Sequence, residues 1–412
     1  MSWRAVVRLP YGPLALAAFL LFCVIVIPCH AQGRDALCSN GSGHFEAEFH
    51  TGVKLRLGAA RKTATGLATR VCEATLSWDK QEIMVTTGAS QLDVDAFGAD
   101  LGLGVPVVTF QVKQSDTECC MAYQIYSLQK PPALLRAITG GGSFSASDTD
   151  LDGRVEIWTD DAAAVDGFEN LVGGELDFAP TIVLRFERNH LLDVSSEFRI
   201  DFDEKIAKLR AELDSEDLRD FKNSDGKLAS TARFSAGQLH RLRGVKIKVL
   251  EIAWSYLYSG REPEAWLWLA DMWPDSDVQR LRTAMLDVRA HGIHAQVDET
   301  SSGPSAGRKK RAMVFDTTKR SERSKSEIIP PQPILLRRSA AVASEQGLTD
   351  SELLLDLLID SAGKVRSVEP AGNPKSADPD LLKAATEWKF VPAFKDGRAV
   401  ASRLRLAVSV KR

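Results

Sequence analysis

An acidic stretch in the first half of the chain has the residue types and spacing of a cation-binding loop. Asp148, Asp150 and Asp152 place carboxylates on alternate residues, and Glu156 follows four residues later. Gly153 permits a tight turn that directs the carbonyl of Arg154 inward. Calcium takes six to eight oxygen ligands, and alternate side chains of a tight loop converge on one ion. The pattern therefore predicts a calcium site with five ligand residues: Asp148, Asp150, Asp152, Arg154 and Glu156.

The loop differs from an EF-hand, because the twelfth position is Thr159 instead of a bidentate glutamate. It resembles the acidic loops of FG-GAP blades in β-propellers, where such a loop precedes a strand, here Val155–Trp158. That resemblance implies a structural calcium ion. The alternative is an aspartate-rich turn whose side chains accept hydrogen bonds from backbone amides.

Motifs of catalysis are missing from the sequence. There is no His-Glu-x-x-His, Gly-x-Ser-x-Gly or P-loop, and no dinucleotide fingerprint. The formal net charge of −3 does not favour nucleic acid as a partner. We expect a binding protein and no catalytic residues, although a spatially assembled enzyme site within residues 34–290 stays open.

The amino terminus has the composition of an export signal. Arg4 and Arg8 precede an apolar run, Leu14 to Ile27, and small residues near Ala31 suit cleavage before Gln32. The alternative is an uncleaved membrane anchor. Four cysteines follow, Cys38, Cys72, Cys119 and Cys120, and an even number in an exported chain suggests disulfides. We expect Cys119 and Cys120 each to pair elsewhere. A Cys38–Cys72 bond beside two free thiols is the other possibility.

Periodicity divides the remaining chain into four parts. Residues 34–200 alternate apolar and polar side chains, which predicts a β-rich domain, either a sandwich or a degenerate propeller-like fold. Residues 201–295 have helical periodicity, and one pair of helices, near Ala253 and Ala265, resembles a tetratricopeptide hairpin. Residues 296–333 form a basic linker rich in serine and proline. Residues 334–412 predict an α+β domain in which one helix packs on a sheet.

The last part contains the most specific pattern. A strand ends in the turn Asp360–Gly363, a helix begins at Asp378-Pro379, and Trp388-Lys389-Phe390 leads to a second turn at Asp396-Gly397. The final strand alternates, with leucine and valine facing inward. Arg403, Arg405, Ala407 and Ser409 occupy its other face.

Residues 328–412 resemble the carboxyl-terminal domain of TonB-family proteins in the order of these features. The resemblance implies a periplasmic module whose sheet edge pairs with an extended peptide of an outer-membrane receptor. By analogy, the partner would lie along Arg403, Arg405, Ala407 and Ser409. The chain lacks the long proline-rich span of TonB transducers and contains a globular insert instead.

We therefore expect a multi-domain, non-enzymatic protein of the cell envelope, periplasmic or secreted, that uses its tail for contact with other envelope proteins. The alternative is a TonB-type energy transducer for outer-membrane transport, held in the inner membrane by an uncleaved amino-terminal segment.

Overall fold

A computed structural model describes most of the chain beyond the predicted export signal. The described residues are 37–64, 67–117, 119–170, 178–228, 234–301, 313–318, 328–335, 350–371 and 378–411. The predicted signal or anchor and the basic clusters of the linker, residues 308–311 and 319–325, lie outside them. The described residues all belong to one compact unit.

The first part of the described chain is built from twelve strands. They are β1 (Leu37–Ser39), β2 (His44–Glu48), β3 (Lys54–Ala64), β4 (Leu67–Trp78), β5 (Gln81–Ala89), β6 (Gln91–Ala99), β7 (Val107–Lys113), β8 (Met121–Ser127), β9 (Leu134–Ser147), β10 (Glu156–Asp161), β11 (Thr181–Glu187) and β12 (His190–Asp193). Strands β2 to β5 form one antiparallel sheet in chain order. The other strands, with β13 (Glu299–Thr300), form a nine-stranded sheet in the order β1-β6-β7-β8-β9-β10-β11-β12-β13.

These two sheets share a hydrophobic core. Alternate residues of the four-stranded sheet, such as Leu55, Leu57 and Leu76, are buried in one cluster with Val108 and Phe110 of the larger sheet. This is the packing that alternating apolar residues produce when one face of each sheet is removed from water.

A helical layer covers another part of the nine-stranded sheet. It contains α1 (Ala162–Val165), α2 (Arg199–Ala211), α3 (Ser215–Lys222), α4 (Ala236–Tyr258), α5 (Glu262–Met272) and α6 (Val278–His291). Ser235 begins α4 with a capping box completed by Gln238. Trp254 and Leu257 of α4 are fully buried in one cluster with Tyr123, Ile157 and Val183 of the sheet. The helices and the large sheet therefore have a common core.

The carboxyl-terminal part is a second α+β layer. Its elements are β14 (Phe315–Asp316), β15 (Gln332–Leu335), β16 (Asp350–Ile359), β17 (Val365–Pro370), α7 (Pro379–Thr386), β18 (Lys389–Val391), β19 (Ala393–Lys395), β20 (Arg398–Val400) and β21 (Ser402–Lys411). The principal sheet has the order β14-β21-β16-β17. Helix α7, capped by Asp378, buries Leu381 and Ala385 in a cluster with Trp388 and Phe390.

The β-rich character with several helices, expected from the periodicity, is confirmed. None of the helices in the described residues is both long and apolar enough to cross a membrane. The nearly continuous apolar run of β16 predicts a strand covered on both faces, but one of its faces is partly exposed. Leu355 and Leu357 are buried, but Leu354 is 42% exposed, because α7 covers only one face of this sheet.

The four cysteines of the described residues form two disulfides. Cys38 of β1 pairs with Cys72 of β4 across a separation of 34 residues, inside the core between the two sheets. Cys119 and Cys120 are bonded to each other. The expectation that these two pair elsewhere is wrong, because burial of the Cys38–Cys72 pair leaves the adjacent cysteines no other partner among the four.

Candidate functional site

The acidic loop connects β9 to β10 on the nine-stranded sheet. Leu151 and Gly153 both have positive φ, 56° and 87°, so the backbone reverses within a few residues. Asp148, Asp150 and Asp152 are brought together by this reversal, and one carboxylate oxygen of each lies within 4.8 Å of the others. The structure thus assembles a three-carboxylate cluster that could hold a metal ion.

Hydrogen bonds within the loop fix two of these carboxylates. Asp148 is fully buried and accepts from the backbone N–H groups of Asp152 at 2.9 Å and Gly153 at 3.1 Å. Asp152 accepts from the N–H of Arg154 at 2.9 Å and from its Nε at 2.8 Å. These are the amide-capping bonds expected of an aspartate-rich turn. They also orient the carboxylates, which have further lone pairs for a cation.

The electrostatics of the loop favour an added positive charge. Burial raises the pKa of Asp148 to about 6, with a further contribution from the carboxylate of Asp360. Burial also raises the pKa of Glu156 to about 8, and the charges of Asp150 and Asp152 add to this effect. Both carboxyl groups therefore hold a proton more readily than usual, and a bound cation would favour their ionised forms instead.

The remaining predicted ligands lie at the margin of the cluster. Glu156 begins β10 and is fully buried, and its Oε2 accepts from the N–H of Thr149 at 3.1 Å. Its Oε1 accepts no hydrogen bond, and Nη1 of Arg185 lies 3.6 Å away. The side chain of Arg154 forms an ion pair with Asp152. The three aspartates form the core of the candidate site, with Glu156 and Arg154 beside it.

The loop also contacts the carboxyl-terminal sheet. Asp148 accepts a hydrogen bond from the hydroxyl of Ser361 at 3.0 Å. In the reverse direction, Oδ2 of Asp360 accepts from the hydroxyl of Ser147 at 3.0 Å and from the N–H of Asp148 at 3.1 Å. Four buried residues from two distant parts of the sequence are therefore joined by reciprocal bonds.

A second polar contact between the layers was not foreseen from the sequence. Lys364 reaches into the large sheet, where its Nζ bonds to the carboxylate and the carbonyl oxygen of Asp95. Lys389 bonds in the same way to Oδ2 of Asp93 at 3.0 Å and to the carbonyl of Val94 at 2.6 Å. Asp93 and Asp95 alternate with apolar residues in β6, a pattern typical of a solvent-facing side, so no local signal indicates this contact.

The predicted partner-binding residues lie on the outer edge of their sheet. Strand β21 pairs with β16 along its whole length, whereas β14 covers the other side only at Ser402 and Arg403. The carbonyls of Ala401 and Arg403 accept from the segment that includes β14, so odd-numbered residues point their backbone groups toward that edge. By strand alternation Arg405, Ala407 and Ser409 do the same.

The side chains of the edge are consistent with this arrangement. Arg403, Arg405 and Ala407 are exposed, whereas Leu404 is buried against α7's side of the sheet. Arg405 forms an ion pair with Asp356 of β16, with Nε 2.7 Å from Oδ1. The edge of β21 is therefore basic, and its backbone N–H and C=O groups are available for pairing with another strand.

Comparison with known proteins does not extend the assignment. Searches among protein-family models, curated proteins and solved structures found no match to this chain.

Proposed function

We propose that this chain is a non-enzymatic cell-envelope protein that binds other proteins in the periplasm through the edge of its carboxyl-terminal sheet. The observation that carries the proposal is the edge of β21, which is uncovered over Leu404–Lys411 among the described residues. An extended segment of a partner that added to this edge would gain backbone hydrogen bonds in place of water.

The exposed arginines of β21 determine which charge a partner segment should have. Arg403 and Arg405 flank the backbone groups that a new strand would contact. An acidic partner segment would therefore be favoured over a basic one, and the contact would weaken with added salt. The partner class proposed is an envelope protein with an accessible, extended acidic segment, such as a periplasmic end of an outer-membrane receptor.

Site-specific photocrosslinking tests this proposal. A photoreactive amino acid at Ala407, in a chain exported by a Gram-negative host, should crosslink one partner through an extended segment that mass spectrometry can map. The same amino acid at Lys383, an exposed position on α7, is the control. Equal products from both positions, or none from position 407, would contradict the proposal.

A proline substitution separates strand addition from other contacts. Ala407→Pro removes an N–H that points away from β16, so the existing sheet loses no ladder bond. Ala407→Val keeps that N–H. We expect the crosslink from a photoreactive residue at Arg405 to be lost in the proline variant and retained in the valine variant. Retention in both would show that the partner does not pair with the strand.

Energy transduction to an outer-membrane transporter is the alternative function. It requires that the amino-terminal segment remain attached and hold the chain in the inner membrane. Mass spectrometry of the amino terminus, after separation of membranes from periplasm, distinguishes the two. A mature chain that starts at Gln32 in the periplasm supports the proposed function, and an intact segment in the inner membrane supports the alternative.

We also propose that the acidic loop binds calcium in a structural role. The observation in favour is the clustering of three carboxylate oxygens within 4.8 Å, beside a buried Glu156 oxygen that accepts no hydrogen bond. Asp148, Asp150 and Asp152 would provide the charged ligands, and water would complete the six to eight oxygens that calcium takes. Calcium would stabilise the ionised forms of Asp148 and Glu156, the pKa values of which are raised mainly by burial.

Calorimetric titration of the metal-free protein with calcium tests the site. Asp150→Asn should weaken binding roughly tenfold or more, because affinity follows the number of charged ligands. Asp271→Asn, at an exposed position of α5, should leave it unchanged. At a calcium concentration of about 100 times Kd, the free energy of unfolding should rise by about 2.7 kcal/mol. No heat of binding and no stabilisation would leave the loop as an amide-capped turn.

A further inference from the structure

A short segment of the chain itself already occupies the beginning of the β21 edge. Strand β14 (Phe315–Asp316) pairs in parallel with Ser402 and Arg403. The N–H of Phe315 donates to the carbonyl of Ala401 at 3.0 Å, and the N–H of Thr317 donates to the carbonyl of Arg403 at 3.1 Å. The segment makes, in short form, the contact that a partner strand would make.

Side chains of this segment match their surroundings. The Nζ of Lys395 lies 4.6 Å from the centre of the Phe315 ring, a cation–π contact. Thr317 is fully buried, and its hydroxyl donates to the carbonyl of Arg403 at 2.5 Å. The charge of Asp316 acts on both Arg405 and Asp356. An aromatic, an acidic and a hydroxyl residue in succession thus fit the start of this edge.

Pairing is short compared with the strand that it covers. Two residues of β14 pair with β21, whereas β21 itself is ten residues long. A longer incoming strand could make more backbone hydrogen bonds with the same edge. The internal segment is therefore placed to compete with a partner without blocking the edge permanently.

We propose that Met313–Thr318 is an internal competitor that a partner must displace to pair along the whole of β21. This inference rests on the proposed function and adds to it the orientation and chemistry of the partner. The partner segment runs parallel to β21 and carries an aromatic residue followed by an acidic and a hydroxyl residue. A second copy of the chain paired edge to edge is the rival occupant.

Competition makes a measurable prediction about affinity. If only the fraction of molecules with a displaced segment can bind, the apparent dissociation constant is the intrinsic constant divided by that fraction. Thr317→Pro removes both donors that Thr317 offers to Arg403, whereas Val314→Pro removes an N–H that points away from β21 by strand alternation. Since a net hydrogen bond is worth a several-fold change in equilibrium, Thr317→Pro should tighten binding on the order of tenfold.

The probe is a fluorescein-labelled synthetic peptide with the sequence of residues 312–319, added to the full exported chain. Fluorescence anisotropy should show tighter binding to Thr317→Pro than to the unmodified chain, and unmodified affinity for Val314→Pro. A photoreactive residue in place of the phenylalanine of the peptide should crosslink near Lys395 and Ala401. Phe315→Ala is a milder second variant, which should change the affinity in the same direction if Thr317→Pro fails to fold.

Each other outcome has a defined meaning. If the unmodified chain, Thr317→Pro and Phe315→Ala all bind the peptide with equal affinity, the internal segment does not compete. The edge would then remain a binding site without a competitor. No binding by any chain would overturn the proposed partner chemistry, whereas the crosslink from Ala407 tests the proposed function separately. Dimers of Thr317→Pro in size-exclusion chromatography, with no peptide binding, would show that a second copy takes the edge instead.

Discussion

Two ion pairs, Lys364–Asp95 and Lys389–Asp93, connect the carboxyl-terminal layer to the large sheet. Asp95 is buried in the large sheet and accepts hydrogen bonds from the hydroxyl of Tyr123 and the N–H of Ala146, both at 2.7 Å, as well as from Lys364. A buried carboxylate with these partners is satisfied only while the lysine is present. Its contribution to stability therefore depends on lysines of the other layer, first of all on Lys364.

Replacement of Lys364 should be costly. Lys364→Met leaves the buried Asp95 without its closest cation, and removal of one member of such a pair costs about 3 kcal/mol or more. Lys383→Met, which removes an exposed lysine on the same layer, should change the free energy of unfolding by less than about 0.5 kcal/mol. Urea unfolding of both variants measures the difference, and equal midpoints would show that the Lys364–Asp95 pair contributes nothing.

Acid should remove the contribution of the Lys364–Asp95 pair to the free energy of unfolding. Burial by itself would raise the pKa of Asp95, but the charges of Lys364 and Lys389 and the bonds that Asp95 accepts hold it below the ordinary value of 3.8. Because the pKa is lower in the folded state than in the unfolded state, the stabilisation is complete above that ordinary value. It is lost as pH falls through the folded-state pKa.

The unmodified chain and Lys364→Met should therefore differ most in unfolding free energy near neutral pH, and the difference should shrink below about pH 4. Lys383→Met should follow the unmodified chain throughout. A difference that stays constant down to strongly acidic pH would assign it to packing of the lysine chain instead of its charge.

Among the elements, the turn between β16 and β17 is the most constrained. Gly363 has a φ of 84°, and a Cβ at this position would lie 1.9 Å from the carbonyl oxygen of Phe390. The N–H of Phe390 in turn donates to the carbonyl of Gly363 at 2.8 Å. Backbone therefore packs directly on backbone, which only glycine permits.

Two glycine substitutions should separate conformational strain from steric clash. Gly397 also has positive φ, 76°, but no heavy atom lies within 4 Å of its Cβ position. Gly397→Ala should cost about 1 kcal/mol of unfolding free energy, from strain alone. Gly363→Ala adds displacement of the Phe390 backbone and should cost several times more, of order 3 kcal/mol. Thermal melts of the two variants provide the comparison, and similar melting temperatures would contradict it.

Most elements could be predicted from the sequence, because their signals are local. Helix α5 occupies Glu262–Met272, and Pro274, two residues beyond it, is the local signal that predicts its end. The strands β16 and β17 and the helix that begins after Asp378 also follow their predicted boundaries closely. The three short strands β13, β14 and β15 were missed, since β13 and β14 lie in the stretch predicted as a linker, β15 spans its end, and all three pair with distant residues.

The candidate site was predictable only in part for the same reason. Asp148, Asp150 and Asp152 are close in sequence, so their spacing indicated a cluster that the structure contains. The contacts of the loop with Asp360 and Ser361 join residues 212 or 213 positions apart. Periodicity and spacing do not predict contacts between residues so far apart. Both partners, the acidic loop and the turn Asp360–Gly363, are nevertheless motifs that the sequence analysis identifies.

At the scale of the whole molecule, three hydrophobic clusters are joined at the carboxyl-terminal layer. That layer has a core of its own around Trp388 and Phe390. Phe394, from the same layer, is buried in the core between the two amino-terminal sheets. The centre of its ring lies 6.0 Å from that of Phe49. Ala362 similarly joins the core shared by the large sheet and the helices. Binding along β21 would thus take place on a layer fixed to a large body.

The polar contact between Lys364 and Asp95 also has a consequence for the order in which the protein is made. Their separation of 269 residues means that β6 leaves the ribosome long before the lysine that neutralises its buried carboxylate. Until then, the nascent large sheet must leave Asp95 accessible to water, bury it in the protonated form, or bury an unneutralised charge. Closure of the large sheet around an ionised Asp95 should therefore wait for the segment that contains Lys364, and a chain terminated before that segment should have a less stable large sheet.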